Sequence, residues 1–167
     1  MNRLIVLLVL AALGACDSDD DAVAVVEVSG DTGTCSESNT TWSGDAPADA
    51  AVPGLVLDRT ITCPRMTMSD ERVSGAMTGE YRCEFSLEDD VTIGDCVGDN
   101  TISNDVGAWE EKGWSFTITL PTGEPWVVVE EGTKEGTGGY KGLLFAYRTG
   151  GGPDYPWPIT GTIEPAD

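Results

Sequence analysis

The stretch VSGAMTGEYRCEF, residues 73–85, alternates between apolar or small side chains and mostly polar ones. Successive side chains of an extended strand point to opposite faces, so this period of two predicts one long strand with a buried and a solvent-facing side. The polar face carries Ser74, Thr78, Glu80, Arg82 and Glu84. The apolar face carries Val73, Gly75, Met77, Gly79, Tyr81, Cys83 and Phe85.

Similar strand signals fill the rest of residues 57–167, and no window shows a sustained helical period. WSFTITL, residues 114–120, repeats the alternation, and Gly- and Asp-rich turns separate the runs. About eight short antiparallel strands predict a barrel or a sandwich. Glycines inside strands, such as Gly79, Gly98 and Gly161, favour an all-β antiparallel barrel because tightly coiled strands need bends and close approaches.

The N-terminus has the pattern of an export signal. Arg3 precedes the apolar run LIVLLVLAAL, residues 4–13, which is too short to span a bilayer as a helix. The string Leu13-Gly14-Ala15-Cys16 resembles the lipobox of bacterial lipoproteins, with Gly14 where Ala or Ser is more usual. The resemblance implies a signal peptide over residues 1–15 and lipid on Cys16. An ordinary secretory peptide cut near Ala15, with Cys16 incidental, is the alternative.

The lipobox resemblance also implies where the protein resides. We expect it in the bacterial cell envelope, held to a membrane through Cys16 and facing the extracytoplasmic side. Residues 16–56 are rich in Asp, Ala, Ser, Thr and Gly, so we expect a flexible acidic linker arm before the barrel. Within that arm AVAVVEV, residues 22–28, has the composition of an edge strand.

Four cysteines remain once Cys16 carries lipid, and an oxidising compartment favours two disulfides. Cys83 and Cys96 lie at equal distances from the turn signal Asp89-Asp90, so a hairpin centred there places them opposite each other. Cys35 and Cys63 pair by elimination, which ties the arm to the first barrel strand.

The charge and composition exclude several function classes. The net charge of −20 argues against a nucleic-acid partner, and the absence of His removes the usual triads and most zinc sites. We therefore predict no catalytic residue, no metal and no cofactor. The acidic doublets Glu110-Glu111 and Glu130-Glu131 are interpreted as solvated surface, because neighbours in a strand point to opposite faces.

One segment of the barrel region resembles a known family. EGTKEGTGGYKGLLFAY, residues 131–147, resembles the strand-turn-strand of allene-oxide-cyclase-like and dirigent-like barrels, through Gly136-Thr137-Gly138-Gly139-Tyr140 and Gly142. The resemblance implies a barrel of about eight strands. It does not transfer an activity, since fold does not determine function and no catalytic signature of that family is matched.

Aromatic side chains in the barrel region either fill the core or line a cup for a ligand. The candidate ligand-binding residues are Trp109, Trp114, Trp126, Tyr140, Tyr147, Trp157 and Arg148. We expect a non-enzymatic binder of a small apolar ligand or of a surface partner. The alternatives are a cyclase-type enzyme that confines its substrate in an apolar barrel, and a purely structural envelope protein. A filled barrel would favour the surface-partner and structural alternatives.

Lipidation predicts a specific loss of label. Cys16→Ser should abolish incorporation of radiolabelled fatty acid, because only the thiol accepts the diacylglycerol group. Blocking the lipoprotein signal peptidase should leave an uncut precursor of the unchanged sequence. A mature N-terminus at any residue other than Cys16 would refute the assignment.

Overall fold

A computed structural model describes residues 24–42, 56–89, 91–120 and 125–166. The predicted signal peptide, Cys16 and residues 17–23 and 43–55 of the acidic arm therefore lie outside the described residues. The strands are β1 (Val26–Asp31), β2 (Ser36–Trp42), β3 (Val56–Met68), β4 (Gly75–Glu88), β5 (Val91–Ser103), β6 (Gly107–Leu120), β7 (Val127–Gly138), β8 (Leu143–Gly151) and β9 (Pro158–Pro165). One 3₁₀ turn, Glu71–Val73, joins β3 to β4.

The strands form one antiparallel sheet that closes on itself, which confirms the predicted all-β barrel. From β3 to β9 each strand pairs with its sequence neighbour. β1 pairs with β9 along its whole length and with β3 at Gly30↔Met68 and Asp31↔Thr67. The eight strands β1 and β3–β9 therefore complete a ring, and closure pairs edges that would otherwise be exposed.

The sheet begins earlier than the predicted barrel boundary at residue 57. β1 and β2 lie in the range interpreted as a linker arm, yet both pair with β3. They keep one register: Gly30 faces Met68, and Ser36 faces Thr62 six residues further along. The edge strand predicted over residues 22–28 overlaps β1, which closes the ring between β9 and β3. The polar composition hides β2, because β2 has exposed side chains and contributes backbone hydrogen bonds rather than core.

Both predicted disulfides are present. Cys83 and Cys96 face each other in the β4–β5 ladder, as a hairpin centred on residues 89–90 requires. Cys35 bonds to Cys63 at the junction between β1 and β2. This second bond holds the closing strand against β3, where the intervening segment contributes no ladder pairs.

Aromatic rings occupy the space that inward-facing glycines leave. A Cβ on Gly79 would lie only 2.7 Å from the Tyr81 hydroxyl, which is too close for a side chain at that position. A Cβ on Gly132 would lie 2.9 Å from Trp114 Cβ and 2.9 Å from Tyr147 Cε1. Gly79 and Gly132 thus make room for aromatic side chains, and the interior is filled rather than hollow.

This packing predicts that Gly132→Ala destabilises the barrel, because the added methyl displaces the Tyr147 ring and the Cβ of Trp114. We expect a loss of about 1–3 kcal/mol in the free energy of unfolding, measured by urea denaturation. Gly113→Ala is the matched control, since a Cβ there meets nothing within 4 Å. Equal effects of the two substitutions would contradict the account.

Candidate functional site

The barrel interior contains a cluster of charged and polar side chains, which we call the interior cluster. Its members are Asn100 on β5, Glu111 on β6, Glu130 and Lys134 on β7, and Tyr147 on β8. Lys134 has no exposed surface and Glu130 is 3 % exposed, while the Glu111 side chain is 5 % exposed. Charged residues are almost never buried to this degree unless they are paired.

Lys134 is held by three acceptors. Its Nζ donates to Glu111 Oε2 at 2.5 Å, to the backbone oxygen of Asn100 at 3.1 Å and to the side-chain oxygen Oδ1 of Asn100. The three acceptors match the donors of an ammonium group and exceed the two of a neutral amine, so every N–H of Lys134 has a partner. The Lys134 side chain is thereby fixed against the Asn100 carboxamide.

Glu130 holds the opposite side of the same carboxamide. Its Oε1 accepts from Asn100 Nδ2 at 2.8 Å and from the Tyr147 hydroxyl at 2.6 Å. The Tyr147 hydroxyl also lies 3.3 Å from Glu111 Oε2. Tyr147 therefore connects the two carboxyl groups.

Burial pushes the cluster towards its neutral forms. Desolvation raises the pKa of Glu130 and of Glu111 above the ordinary value, although Lys134 acts in the opposite direction on both. Desolvation lowers the pKa of Lys134, against the attraction of Glu111. Desolvation also raises the pKa of Tyr147, so its hydroxyl keeps its proton and donates to Glu130. In a medium of low polarity, each charged form is costly.

Local strand geometry brings these side chains inside. On β7 the inward positions run Val128, Glu130, Gly132 and Lys134 with a period of two. On β6 the β6–β7 register shifts between Glu111 and Gly113, so both Glu111 and Trp114 face the core although an even number of residues, two, lies between them. Such a bulge inserts one residue and re-aims the side chains beyond it.

A small cavity adjoins the interior cluster. Its volume is about 20 Å³, and its lining includes Asn100, Glu130, Lys134, Tyr147, Tyr155 and Trp157. A space of that size holds about one water molecule. The cavity offers no room for an organic ligand.

A second buried charge, Arg59, lies on β3. Arg59 Nη1 pairs with Glu37 Oε1 at 2.9 Å, and its guanidinium lies 5.9 Å from the centre of the Tyr81 ring. Its Nε and Nη2 atoms are buried and have no hydrogen-bond partner among the described residues. The Tyr155 hydroxyl is likewise buried without a partner there, and desolvation raises the pKa of Tyr155 to about 12.

The structure separates the candidate ligand-binding residues into different places. Tyr147 and Trp157 line the cavity. Trp109 stacks on Tyr140 at one end of the barrel, and Trp126 contacts Trp157 at the other. Trp114 packs on Tyr81 and donates to Gly98 O. Arg148 lies on the outer surface, paired with Glu131, because its strand position alternates with inward Tyr147 and Thr149.

Sequence reasoning missed Asn100, Glu111, Glu130 and Lys134. The sequence predicts that the doublets Glu110-Glu111 and Glu130-Glu131 lie on the surface, but one member of each faces the interior. The interpretation that adjacent residues face opposite sides was sound, yet the inward members come from neighbouring strands and meet there. The signal for Asn100 was available, because it shares the phase of Cys96 and Ile102 on β5.

Comparison with known proteins found no matching family model, no matching curated protein and no matching solved structure. Over the described part of the chain, no helix is long and apolar enough to cross a membrane. The same residues contain no group of His, Cys, Asp or Glu arranged to hold a metal ion.

The hydroxyls of two tyrosines predict contrasting effects on stability. Tyr147→Phe removes a hydroxyl bonded to Glu130, so we expect a loss of about 1–3 kcal/mol in the free energy of unfolding. Tyr155→Phe removes a buried hydroxyl without a partner among the described residues, so we expect no loss, or a gain of up to about 1 kcal/mol. Thermal and urea unfolding of both variants test this. A larger loss for Tyr155→Phe would refute the assigned contacts.

Proposed function

We propose that the protein is a lipid-anchored component of the bacterial cell envelope whose barrel is a rigid, non-enzymatic module that binds a protein partner at its outer surface. The observation that carries this proposal is the filled interior. Pockets for small molecules usually enclose about 300–1,000 Å³. The interior cavity of about 20 Å³ leaves only the outer surface for recognition.

The same observation speaks against the two functions that need internal space. A cyclase-type enzyme would have to confine its substrate inside the barrel, and an apolar ligand would have to displace rings that pack against glycines. The resemblance to allene-oxide-cyclase-like and dirigent-like barrels stays a prediction. A purely structural role differs from our proposal only in the absence of a specific partner.

One part of the outer surface is unusually acidic, and we call it the acidic face. It lies across β3–β5, where Glu80 faces Asp99 and Glu84 faces Asp95 in directly opposed pairs. Like charges opposite each other on neighbouring strands destabilise a sheet. Arg82 supplies a cation between these pairs, and it is bound to Asp58.

An exposed apolar side chain lies in the middle of the acidic face. Val97 is opposite Arg82 between the two like-charge pairs and is 67 % exposed. A basic partner would relieve the repulsion between the opposed carboxylates and cover this valine. Together with the net charge of −20, this favours a partner with a positively charged surface.

Photo-crosslinking in the producing bacterium tests the proposal. A photoreactive amino acid at Val97 should give one discrete protein adduct, and the yield should fall at high salt because exposed charges are screened. The matched control places the same group at Thr160, an exposed position on β9 away from the acidic face.

Neutralising the opposed carboxylates sharpens the test. Glu80→Gln combined with Asp99→Asn should reduce the Val97 adduct severalfold while leaving the fold intact, since removing a like-charge pair does not cost stability. Equal adducts at positions 97 and 160, or no adduct at Val97, would refute a partner at the acidic face.

A further inference from the structure

We infer that Lys134 and Asn100 react with each other to form an intramolecular isopeptide bond between Lys134 Nζ and Asn100 Cγ, with release of ammonia. This inference goes beyond the proposed function, because it concerns covalent chemistry in the sealed interior. It rests on the arrangement of an amine, a carboxamide and two carboxyl groups in the interior cluster.

The reacting groups are held in contact by the fold. Lys134 Nζ touches both the side-chain oxygen and the backbone oxygen of Asn100, although the residues lie 34 positions apart on β5 and β7. Fixing two reactants in this way converts a bimolecular step into a unimolecular one and replaces much of the entropic barrier. Lys112 on β6 lacks such an arrangement, because its side chain is exposed and pairs with Glu135, and it therefore serves as a control for the test below.

Burial favours the reactive forms of Lys134 and Glu130, while hydrogen bonds from the Tyr147 hydroxyl and the Gly113 backbone favour the carboxylate of Glu111 against its burial. An amine attacks a carbonyl only when it is neutral, and burial lowers the pKa of Lys134. Glu111 Oε2 lies against Nζ, where a carboxylate would accept a proton. Glu130 contacts Asn100 Nδ2, where a carboxylic acid would supply one, and burial raises its pKa. The two carboxyl groups are thus placed as base and acid.

The step begins from neutral Lys134, ionised Glu111 and protonated Glu130, and it balances without a cofactor or an oxidant. The Nζ lone pair attacks Asn100 Cγ, a carbon–nitrogen bond forms, and the carbonyl electrons move to Oδ1. Nζ gives one proton to Glu111, Glu130 gives one to Nδ2, the Cγ–Nδ2 bond breaks as the carbonyl reforms, and ammonia leaves. The Tyr147 hydroxyl, in contact with both carboxyl groups, returns the proton from Glu111 to Glu130.

The surroundings suit this reaction. The cavity lined by Asn100, Glu130, Lys134 and Tyr147 has room for a leaving molecule about as large as water. Burial of Asn100, which is 1 % exposed, limits competing hydrolysis of the carboxamide. The new bond would join β5 to β7 across β6, and reductants that open the two disulfides would not break it.

Peptide mapping of the full chain, purified from the producing bacterium and reduced before digestion, tests the inference. Trypsin should cut after Arg82, Lys112 and Lys141 but not after the acylated Lys134. Residues 83–112 and 113–141 should therefore appear as one branched peptide, lighter by one ammonia than the sum of its parts. Fragmentation should place the branch at Asn100 and Lys134.

Variants of the same chain separate the chemistry from simple proximity. Glu130→Gln should lose the branched peptide, while intact disulfides and an unchanged strand spectrum show that it folds. Lys112→Arg, the matched control on the surface, should keep the bond. Asn100→Asp should give the same branched product with loss of water instead of ammonia.

Peptide mapping of the unaltered chain can also refute the isopeptide bond without any variant. Complete cleavage after Lys134, with a free peptide 113–134, would overturn the inference. Loss of ammonia with only linear peptides would also overturn it, because that result identifies a cyclic imide at Asn100 rather than a bond to lysine.

Discussion

The packing of aromatic rings against inward-facing glycines is the constraint on which the rest of this structure depends. Tyr81 fits over Gly79, Tyr147 and Trp114 over Gly132, and Phe145 against Gly161. In each case the aromatic residue fills the space that a side chain at the glycine position would otherwise occupy. The barrel therefore closes around a solid core, and the interior cluster is sealed from solvent.

Because the interior is sealed, the contribution of its charged side chains to stability differs from that of surface charges. Exchanging a buried ion pair for apolar residues is often neutral or stabilising, so Lys134 and Glu111 are weak evidence for stability as such. In our account their role is chemical, because Glu111 holds the amine of Lys134 beside the carboxamide of Asn100. A crosslink made there and a partner bound at the acidic face would be independent properties of one rigid barrel.

The sequence predicts much of the fold because its strongest signals are local. The alternation of residues 73–85 and the spacing of Cys83 and Cys96 about a turn translate directly into β4 and its ladder with β5. In the acidic arm the strand predicted over residues 22–28 overlaps β1, whereas β2 is not predicted because it buries almost nothing and its place in the sheet depends on pairing with β3.

The candidate site was harder to predict for a related reason. Glu111 is in phase with inward Trp109, yet out of phase with the alternation of residues 114–120. The β6–β7 register shifts between these two parts of the strand, and no local pattern shows that shift. On β7 three consecutive valines, residues 127–129, hide which phase is inward and therefore where Glu130 points. Side chains from four strands meet in the interior cluster, and their meeting depends on barrel closure rather than on any one strand.

Xenon binding followed by methyl NMR tests the filled barrel most directly, because xenon occupies apolar cavities of about 150 Å³. Ile61, Ile102 and Ile159 line the interior cavity and supply the reporting methyl groups. Our account predicts that their signals show no saturable shift as xenon pressure rises. A saturating shift confined to these methyl groups would reveal a hollow barrel and contradict the account.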